Sequence, residues 1–384
     1  MRIAIDARKL NDFGIGTYVR HLIKYLGKID QENDYVLISH PEDKDSIEAL
    51  CPKAQLVPVS SRNYSFSEHI TIPAKLRHLA VDLYHAPHYV LPFFTHCRSV
   101  VTVHDVIHLL FPQYLPSRLA SHYARFMIRR ATERAELILT VSDASKRDLL
   151  TFFDLPPEKI QVVPNGINST ITQPLTDEEL DGIRERYQIK GRTVLFVGNI
   201  KPHKNVERLI AAIAKARENP DLSDLTLIVV GDDISKYPSL RRTVARHNIR
   251  GNVRFFGFVP ERTLVALYKI ADVFAFPSLY EGFGLPPLEA MANGTPVVTS
   301  NISSLPEVVG DAALTVDPYN IDDIASAIRR VLEDDELKAR LIADGYERAR
   351  CYSWEQSVIQ IHRAYQQALG ITHASSEAAR AACG

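Results

Sequence analysis

The sequence of 384 residues lacks an excess of charge of either sign. It contains 45 lysines and arginines against 46 aspartates and glutamates. Proteins whose main partner is a nucleic acid usually carry a strong positive bias, because they neutralise backbone phosphates. The charge balance therefore argues against nucleic acid as a partner.

Cysteine is scarce, and its spacing does not suit a metal. The four cysteines, Cys51, Cys97, Cys351 and Cys383, include no CxxC pair. Structural zinc sites use closely spaced pairs of cysteine or histidine ligands. We therefore expect free thiols, as is usual in a reducing compartment, and no metal site.

Long hydrophobic runs are missing as well. No apolar run approaches the roughly 18 residues that a membrane-spanning helix needs. The first residues, MRIAIDARKL, begin directly with a strand-like run and do not resemble a secretory signal peptide. These features predict a cytoplasmic protein.

The chain is rich in short apolar runs that alternate with helical patterns. Apolar residues make up 46% of the chain, which suits two domains of roughly 150–200 residues, each with its own core. Continuous apolar strands followed by helices are typical of parallel sheets covered on both faces. We predict an α/β protein with two doubly wound, Rossmann-like domains that face a cleft. The predicted strands cover residues 2–7, 34–39, 81–86, 98–105, 136–143, 193–199, 225–232, 252–258, 272–278 and 295–300.

The predicted domain boundary follows the turn residues of VVPNGINST. We assign residues 1–172 to an N-terminal domain and residues 173–352 to a C-terminal domain. Residues 353–372 are a final helix, and the small and polar residues 373–384 are expected to form a flexible tail.

The stretch YEGFGLPPLEAMANGTPVV has the composition of a ligand-binding loop at the carboxyl end of a strand. Gly284 permits a close approach of the backbone, and the two prolines suit the first turn of a helix. Free N–H groups at a helix start bind phosphates. Glu281 and Glu289 stand on either side, and carboxylates accept hydrogen bonds from vicinal hydroxyl groups. This layout fits a nucleotide sugar; the alternative is that Glu289 only stabilises the helix dipole and that Glu281 is solvated.

Two further stretches contribute candidate residues. In VGNIKPHKNVERLI, Lys204 follows a strand end, with Lys201 and His203 close by. A lysine there is suited to neutralising a leaving diphosphate, and the alternative is a solvated lysine. In VVTVHDVIH, His104 ends a strand and would face the cleft, unless it is a structural histidine.

Gly14 and Gly16, in NDFGIGTYVR, precede a helix predicted over residues 16–26. The stretch fails as a dinucleotide fingerprint, because Val19 occupies the third glycine position. We interpret it instead as a flexible loop whose N–H groups reach a diphosphate.

Together these motifs resemble the retaining glycosyltransferases of family 4, the glycogen-synthase-like enzymes with the GT-B fold. YEGFGLPPLEAMANGTPVV resembles their E-x7-E signature, and Asp6, Ala7 and Arg8 resemble the IDAR opening of bacterial mannosyl- and rhamnosyltransferases. VSDASKRDLL, VVPNGI and NVRFFGFVPE resemble other stretches of the family. The resemblance covers nearly the whole chain, and it implies that the final helix crosses back over the first domain.

The resemblance implies a role for each candidate residue. Glu281 would bind hydroxyl groups of the donor sugar, Glu289 would bind the ribose, and His104 would lie near the 6-hydroxyl of the sugar. Family members carry an arginine where this chain has Asn199, which leaves Lys201 and His203 as candidates for the second positive charge. The implied catalytic residues are His104, Lys204 and Glu281. The implied donor-binding residues are Gly14, Gly16, Asn199, Lys201, His203, Phe258, Val259, Phe283, Gly284, Leu285 and Glu289.

The implied reaction is the transfer of a hexose from a nucleotide sugar to a hydroxyl of a glycan or lipid-linked acceptor, with retention and without a metal or cofactor. GDP-mannose is the expected donor. The alternatives are UDP-glucose or a rhamnose donor, a GT-B sugar-nucleotide epimerase, or a non-catalytic sugar-nucleotide sensor. The acceptor would be determined by loops such as residues 60–72 and 86–96. A basic helix over residues 117–136 is a candidate for peripheral contact with the inner membrane surface, although ordinary solvated helices share its pattern.

Overall fold

The structure, a computed structural model, describes residues 1–115 and 117–371, with only the backbone of Phe13 and Arg118. Contacts divide the chain into two units. Within the described chain, the first unit contains Met1–Gly166 and residues 353–371, and the second is Ile167–Tyr352. The division lies before the boundary that the sequence predicted after residue 172. The predicted tail at residues 373–384 lies outside the described residues.

The first unit is built on a parallel sheet of seven strands in the order β3-β2-β1-β4-β5-β6-β7. Its strands are β1 (Arg2–Asp6), β2 (Asp34–Ser39), β3 (Gln55–Pro58), β4 (Leu83–Ala86), β5 (Arg98–Thr102), β6 (Leu137–Thr140) and β7 (Ile160–Val162). Its helices are α1 (Phe13–Ile29), α2 (Lys44–Leu50), α3 (Glu68–His78), α4 (Ile107–Leu110), α5 (Arg118–Arg134), α6 (Asp143–Phe152) and, at the far end of the chain, α15 (Trp354–Ala368). Two apolar clusters, one on each face of the sheet, are filled by the strand side chains and the covering helices.

Helix α15 belongs to this first unit and packs against α1. Trp354 is 2% exposed, and its ring lies in the same apolar cluster as Tyr18 and Leu22. Farther along α15, the hydroxyl of Tyr365 lies 2.6 Å from Nδ1 of His85 at the end of β4. The apolar stripe of this helix explains why the chain returns to the unit in which it began.

The second unit is built on a parallel sheet of six strands in the order β10-β9-β8-β11-β12-β13. Its strands are β8 (Thr193–Gly198), β9 (Thr226–Gly231), β10 (Val253–Gly257), β11 (Val273–Phe276), β12 (Val297–Ser300) and β13 (Ala313–Val316). Its helices are α7 (Asp177–Arg186), α8 (Val206–Ala216), α9 (Pro238–Arg246), α10 (Glu261–Ile270), α11 (Leu285–Ala292), α12 (Leu305–Val309), α13 (Ile321–Glu333) and α14 (Asp335–Arg350).

These sheets confirm the predicted fold class of two doubly wound α/β units. In each sheet the chain first winds toward one edge and then restarts on the other side of its first strand. The two switch points lie between β1 and β4 and between β8 and β11. Ligands of open α/β sheets bind at such points, outside the carboxyl ends of the strands.

The sequence missed three strands, β3, β7 and β13, because each is only three or four residues long and lies at a sheet edge. Within the described chain, Cys51 and Cys97 are free thiols. Cys351, however, is disulfide-bonded, so the prediction of free thiols is wrong there, since sequence spacing does not reveal pairing across a fold. Among the described helices, none combines the length and the apolar character needed to cross a bilayer.

Candidate functional site

An ion pair lies at the switch point of the second unit. Lys204 follows β8, and its Nζ donates to both carboxylate oxygens of Glu281, at 2.6 and 2.8 Å. Each of the two side chains is only 13% exposed. The same ammonium lies 5.3 Å from the ring centroid of Phe276, at the end of β11. The sequence predicted that both residues contact a ligand. In the structure their side chains are hydrogen-bonded to each other.

Backbone contacts fasten the two loops that carry this pair. The N–H of Leu279 donates to the carbonyl of His203 at 2.7 Å. Asn205 adopts a left-handed conformation with φ of 61°, and its amide donates to the carbonyls of Pro277 and Pro318. Asn205 is 4% exposed, so these bonds are shielded from water. The loop after β8 and the loop after β11 therefore form one connected surface.

Two serines fix the backbone beside Glu281. Ser303 Oγ accepts from the N–H of Glu281 at 3.0 Å and lies 2.6 Å from its carbonyl oxygen. Ser304 Oγ lies 2.9 Å from that carbonyl and 2.5 Å from the carbonyl of Phe283. Ser304 is fully buried. Because both serines follow β12, the third loop at this edge holds the Glu281 loop in place.

Helix α11 begins immediately after this loop, at Leu285, and Gly284 is its N-cap residue. Gly284 has a φ of +131°, which side chains with a Cβ rarely adopt, and a Cβ there would lie 2.8 Å from Leu305 Cδ2. Among the described residues, no side chain caps the start of α11. After Leu285 come Pro286 and Pro287, which have no N–H, so the donors at this helix start are concentrated at Gly284 and Leu285. This arrangement favours an anion outside the loop.

Glu289 lies in the second turn of α11. The hydroxyl of Tyr268, from α10, donates to Glu289 Oε2 at 2.9 Å. Burial raises the pKa of Glu289 above its ordinary value of 4.5, and the Tyr268 hydrogen bond opposes that rise. Tyr268 is itself fully buried, so it orients one carboxylate oxygen from inside the protein. The other oxygen accepts no hydrogen bond from the part of the chain that the structure describes, and it remains available to a ligand.

The remaining predicted donor contacts of the second unit differ in exposure. Lys201 is exposed, Asn199 is half-buried, and His203 is 7% exposed. At the far edge strand β10, Phe258 is 87% exposed, whereas Val259 beside it is 5% exposed. An aromatic ring that projects from a strand end is suited to stacking on a flat ligand group. This edge of the sheet therefore offers carboxylates, an ammonium group, free N–H donors and an aromatic face.

In the first unit, His104 follows β5 by two residues. Its Nε2 lies 3.0 Å from the carbonyl oxygen of Pro87, so it carries the proton, and its ring meets the Tyr18 ring edge-on at 4.8 Å. Burial lowers the pKa of His104, which keeps it neutral. A neutral His104 presents Nδ1 as a hydrogen-bond acceptor.

The predicted glycine loop is wrong at Gly16. Helix α1 already begins at Phe13, and the N–H of Gly16 donates to the carbonyl of Asp12 at 2.7 Å. A Cβ on Gly16 would lie 2.3 Å from the Leu10 carbonyl oxygen, so close packing explains this glycine. Gly14, by contrast, is exposed in the first turn of α1, and a Cβ added there would meet no described atom within 4 Å.

Sequence reasoning missed four residues that shape this site: Asn205, Tyr268, Ser303 and Ser304. Asn205 carried a usable signal, because asparagine tolerates a left-handed backbone and here precedes a helix. The local sequence contained no signal for the two serines and Tyr268, because their hydrogen-bond partners are distant in sequence.

Comparison with known proteins gives two family matches that together span most of the chain. Residues 14–170 match the family described as Glycosyltransferase Family 4, and residues 181–348 match Glycosyl transferases group 1. The first match lies mainly in the first unit and the second in the second unit.

Individual relatives agree with these families. The chain is 35% identical over 290 residues to an O-antigen chain mannosyltransferase B from Escherichia coli, and the match covers 74% of each protein. It is 33% identical over 247 residues to an MMP alpha-(1->4)-mannosyltransferase from Mycolicibacterium hassiacum, with 63% of this chain and 57% of that protein covered. Among solved structures, a sucrose-phosphate synthase from Thermosynechococcus elongatus has a TM-score of 0.77 and 22% identity, with 97% of this chain and 100% of that chain covered. At that identity the last likeness concerns the fold alone.

Proposed function

The chain belongs to glycosyltransferase family 4, and from that premise we propose that it transfers mannose from GDP-mannose to a hydroxyl of a glycan or lipid-linked acceptor, with retention at the anomeric carbon and without a metal ion. In this proposal the acceptor is a substrate in the synthesis of a surface polysaccharide.

The observation that carries this proposal is the arrangement of Lys204, Glu281 and the start of α11 at one switch point. The Lys204 ammonium and the free N–H groups of Gly284 and Leu285 are positive or partly positive, and they suit the diphosphate of the donor. Glu281 suits the hydroxyl groups of the sugar, because an ionised carboxylate only accepts hydrogen bonds. Charge that develops on the leaving diphosphate would be stabilised without a divalent cation.

The nucleoside end of the donor fits the other residues of this edge. The free oxygen of Glu289 accepts from a ribose hydroxyl, while Tyr268 holds the carboxylate. The exposed ring of Phe258 stacks on the base. The first unit has candidate groups of its own: Nδ1 of the neutral His104 is an acceptor suited to a sugar hydroxyl, and the backbone N–H groups in the first turn of α1, at Gly14, suit an anion.

Retention follows from a same-face reaction in this proposal. The sugar forms no covalent bond to the protein; instead, the leaving phosphate oxygen helps to deprotonate the acceptor hydroxyl as the glycosidic bond forms on the face from which the diphosphate departs. Glu281, already paired with Lys204, serves to position the sugar.

Mannose is favoured by the relatives and not by the site geometry. Both relatives described above carry mannosyltransferase in their names, and one is an O-antigen chain enzyme. The residues at the candidate site suit sugar hydroxyl groups and a diphosphate, which GDP-mannose, UDP-glucose and rhamnose donors all contain.

We also propose peripheral contact with an anionic membrane surface through α5. Leu119, Tyr123 and Phe126 are 81%, 40% and 55% exposed, and their spacing places them on one face of the helix. The opposite face, with Ala124 and Ile128, is buried in the core. An exposed apolar face flanked by arginines is typical of interfacial helices.

Nucleotide release measures this function directly. The purified protein is incubated with GDP-mannose, UDP-glucose or dTDP-rhamnose, with and without mannose-containing oligosaccharides, in the presence of EDTA. We expect GDP release that increases with acceptor, and an α-linked product identified by its anomeric NMR coupling. Epimerisation without release, tight donor binding without turnover, or preference for another donor would each overturn the corresponding part of the proposal.

A further inference from the structure

A second polar cluster lies at the switch point of the first unit, between β1 and β4. Strand β1 is followed by Ala7, Arg8 and Lys9, and the loop after β4 contains His88 and Tyr89. By the same rule that marks the edge of the second unit, a ligand of this sheet is expected here. Neither of the predicted roles for the first unit, at His104 and at Gly14, uses these residues.

The cluster is organised by one buried arginine. Arg8 donates to Asp6 through Nε at 2.9 Å and through NH2 at 2.6 Å, and NH2 also lies 2.9 Å from Glu68 Oε2. All three side chains are almost fully buried. Tyr84 adds a hydrogen bond to Asp6 at 3.0 Å. Arg8 therefore fixes Glu68, the first residue of α3, beside the end of β1.

Two polar atoms of this cluster lack a partner within the described chain. Glu68 is fully buried; a backbone hydrogen bond from Tyr64 reaches its carboxylate, yet Oε1 has no partner with full hydrogen-bond geometry. His88 is 2% exposed; its Nδ1 accepts from the N–H of Val90 at 3.0 Å, so the proton lies on Nε2, which has no acceptor. Buried polar atoms without partners destabilise the fold, because they lose their hydrogen bonds to water and gain none in return. Such atoms commonly mark places that a ligand completes.

An aromatic wall lies beside these atoms. Tyr64 adopts a φ of +64°, which is unusual for a tyrosine, and its ring lies over the Lys9 ammonium at 4.6 Å. The ring centroid of Tyr64 lies 6.0 Å from that of His88 and 6.3 Å from that of Tyr89. Tyr64 is 44% exposed, so one part of the ring faces outward.

The cluster includes residues of both loops that the sequence predicted to determine the acceptor. Tyr64 and Glu68 belong to residues 60–72, and His88 and Tyr89 belong to residues 86–96. A stacked contact between His69 and Phe93, at 3.9 Å, holds the loops together farther out. Residues distant in sequence thus form one connected surface.

We propose that this cluster binds a neutral sugar ring of the acceptor, with Glu68 Oε1 and His88 Nε2 hydrogen-bonded to its hydroxyl groups and Tyr64 against its apolar face. This inference rests on the proposed function, because it names the acceptor class of the same enzyme. A hydroxyl both donates and accepts, so it satisfies Glu68 and His88 together. Aromatic rings suit the C–H face of a sugar.

The charges of the cluster favour a neutral ligand over a phosphate. Arg8 is already balanced by Asp6 and Glu68, and Lys9 pairs with Asp12 at 2.6 Å. Burial lowers the pKa of His88 to about 3, so the ring remains neutral at physiological pH. Among these described residues, every positive charge has a negative partner, so none is left to bind an anion. Hydrogen-bonding atoms, by contrast, remain available to a neutral ligand.

The test combines direct binding with kinetics. Methyl glycosides of mannose, glucose, galactose and rhamnose are titrated into the full-length protein without donor, and the imidazole signals of His88 are followed by NMR. We expect one or more glycosides to shift them saturably. In transfer assays, His88→Phe and Glu68→Gln should raise the acceptor KM about tenfold or more, with the donor KM and acceptor-independent donor hydrolysis unchanged.

His78→Phe is the matched control, since His78 is exposed at the far end of α3. Thermal unfolding confirms that each variant is folded, and Tyr64→Leu provides a variant outside the ion cluster that should also raise the acceptor KM. An unchanged acceptor KM in folded His88→Phe and Tyr64→Leu, or no glycoside binding at all, would overturn the acceptor site. Glycoside binding at His88 without transfer from any donor would overturn the proposed function and leave this site standing.

Discussion

Lys204 and Glu281 lie 77 positions apart, yet the Lys204 ammonium contacts both oxygens of the Glu281 carboxylate. The pair closes the switch point between β8 and β11 and is mostly shielded from water. It therefore holds both side chains in a defined geometry before a ligand arrives. A donor would exchange part of this contact for bonds from the sugar hydroxyls and to the diphosphate.

The first prediction concerns this ion pair. Lys204→Met and Glu281→Gln should each lower the free energy of unfolding by about 1–3 kcal/mol, because each leaves a shielded partner unpaired. Lys204→Met should also lower kcat by about 10²–10³, since it removes a charge that stabilises the leaving group. Urea unfolding and steady-state kinetics measure the two effects.

The double variant separates pairing from independent roles. If the two side chains stabilise the fold through each other, the combined loss of unfolding free energy should be smaller than the sum of the single losses. The pair Arg192 and Asp224, which is far more exposed, is a control that should show little coupling. Strict additivity at Lys204 and Glu281 would argue against the pairing.

The sequence predicted most strands and the residues of the Glu281 loop, because those signals are local. Continuous apolar strands and a glycine- and proline-rich turn each lie within a few residues. The contact between Lys204 and Glu281 could not be predicted, because it depends on β8 and β11 being neighbours in the sheet. The prediction for Gly16 was wrong for a similar reason. A glycine is needed there because the backbone packs closely against the Leu10 carbonyl, and the local sequence pattern does not distinguish such packing from a loop.

Gly284 provides the second prediction. Gly284→Ala should destabilise the second unit by about 1–3 kcal/mol, because alanine is strained at a φ of +131° and its Cβ would crowd Leu305. Affinity for GDP should fall as well, since the start of α11 shifts. Calorimetric unfolding and GDP titration give both values.

Gly182→Ala is the control for that substitution. Gly182 is an exposed residue within α7, and a Cβ there would meet no described atom within 4 Å. Alanine there should stabilise the helix by about 0.5–1 kcal/mol, and GDP affinity should not change. Equal effects of the two substitutions would refute the close packing at Gly284.

The third prediction is a pH dependence that originates at Glu289. Burial raises the pKa of Glu289, so on acidification its carboxylate is protonated at a higher pH than an ordinary glutamate. Protonation removes an acceptor from the ribose, and GDP affinity should therefore fall as the pH decreases through this raised pKa. Glu289→Gln should abolish that step, and Tyr268→Phe should move it to higher pH, because the Tyr268 hydrogen bond lowers the pKa. Isothermal titration with GDP across the acidic range measures all three; an identical profile in Glu289→Gln would exclude Glu289 as the titrating group.

The fourth prediction tests the exposed face of α5. Replacing both Leu119 and Phe126 with serine removes the two most exposed apolar side chains of that face. Each buried apolar side chain contributes about 1.5–3 kcal/mol, so the double variant should bind vesicles that contain phosphatidylglycerol at least about tenfold more weakly than the wild type.

Ile70→Ser is the control, because Ile70 is 58% exposed on α3 and lies outside that face. Sedimentation with pure phosphatidylcholine vesicles should show weaker binding of the wild type, since the arginines of α5 then lack anionic partners. Equal sedimentation of the wild type and the double variant with anionic vesicles would place any membrane contact elsewhere on the chain, and α5 would then be an ordinary surface helix.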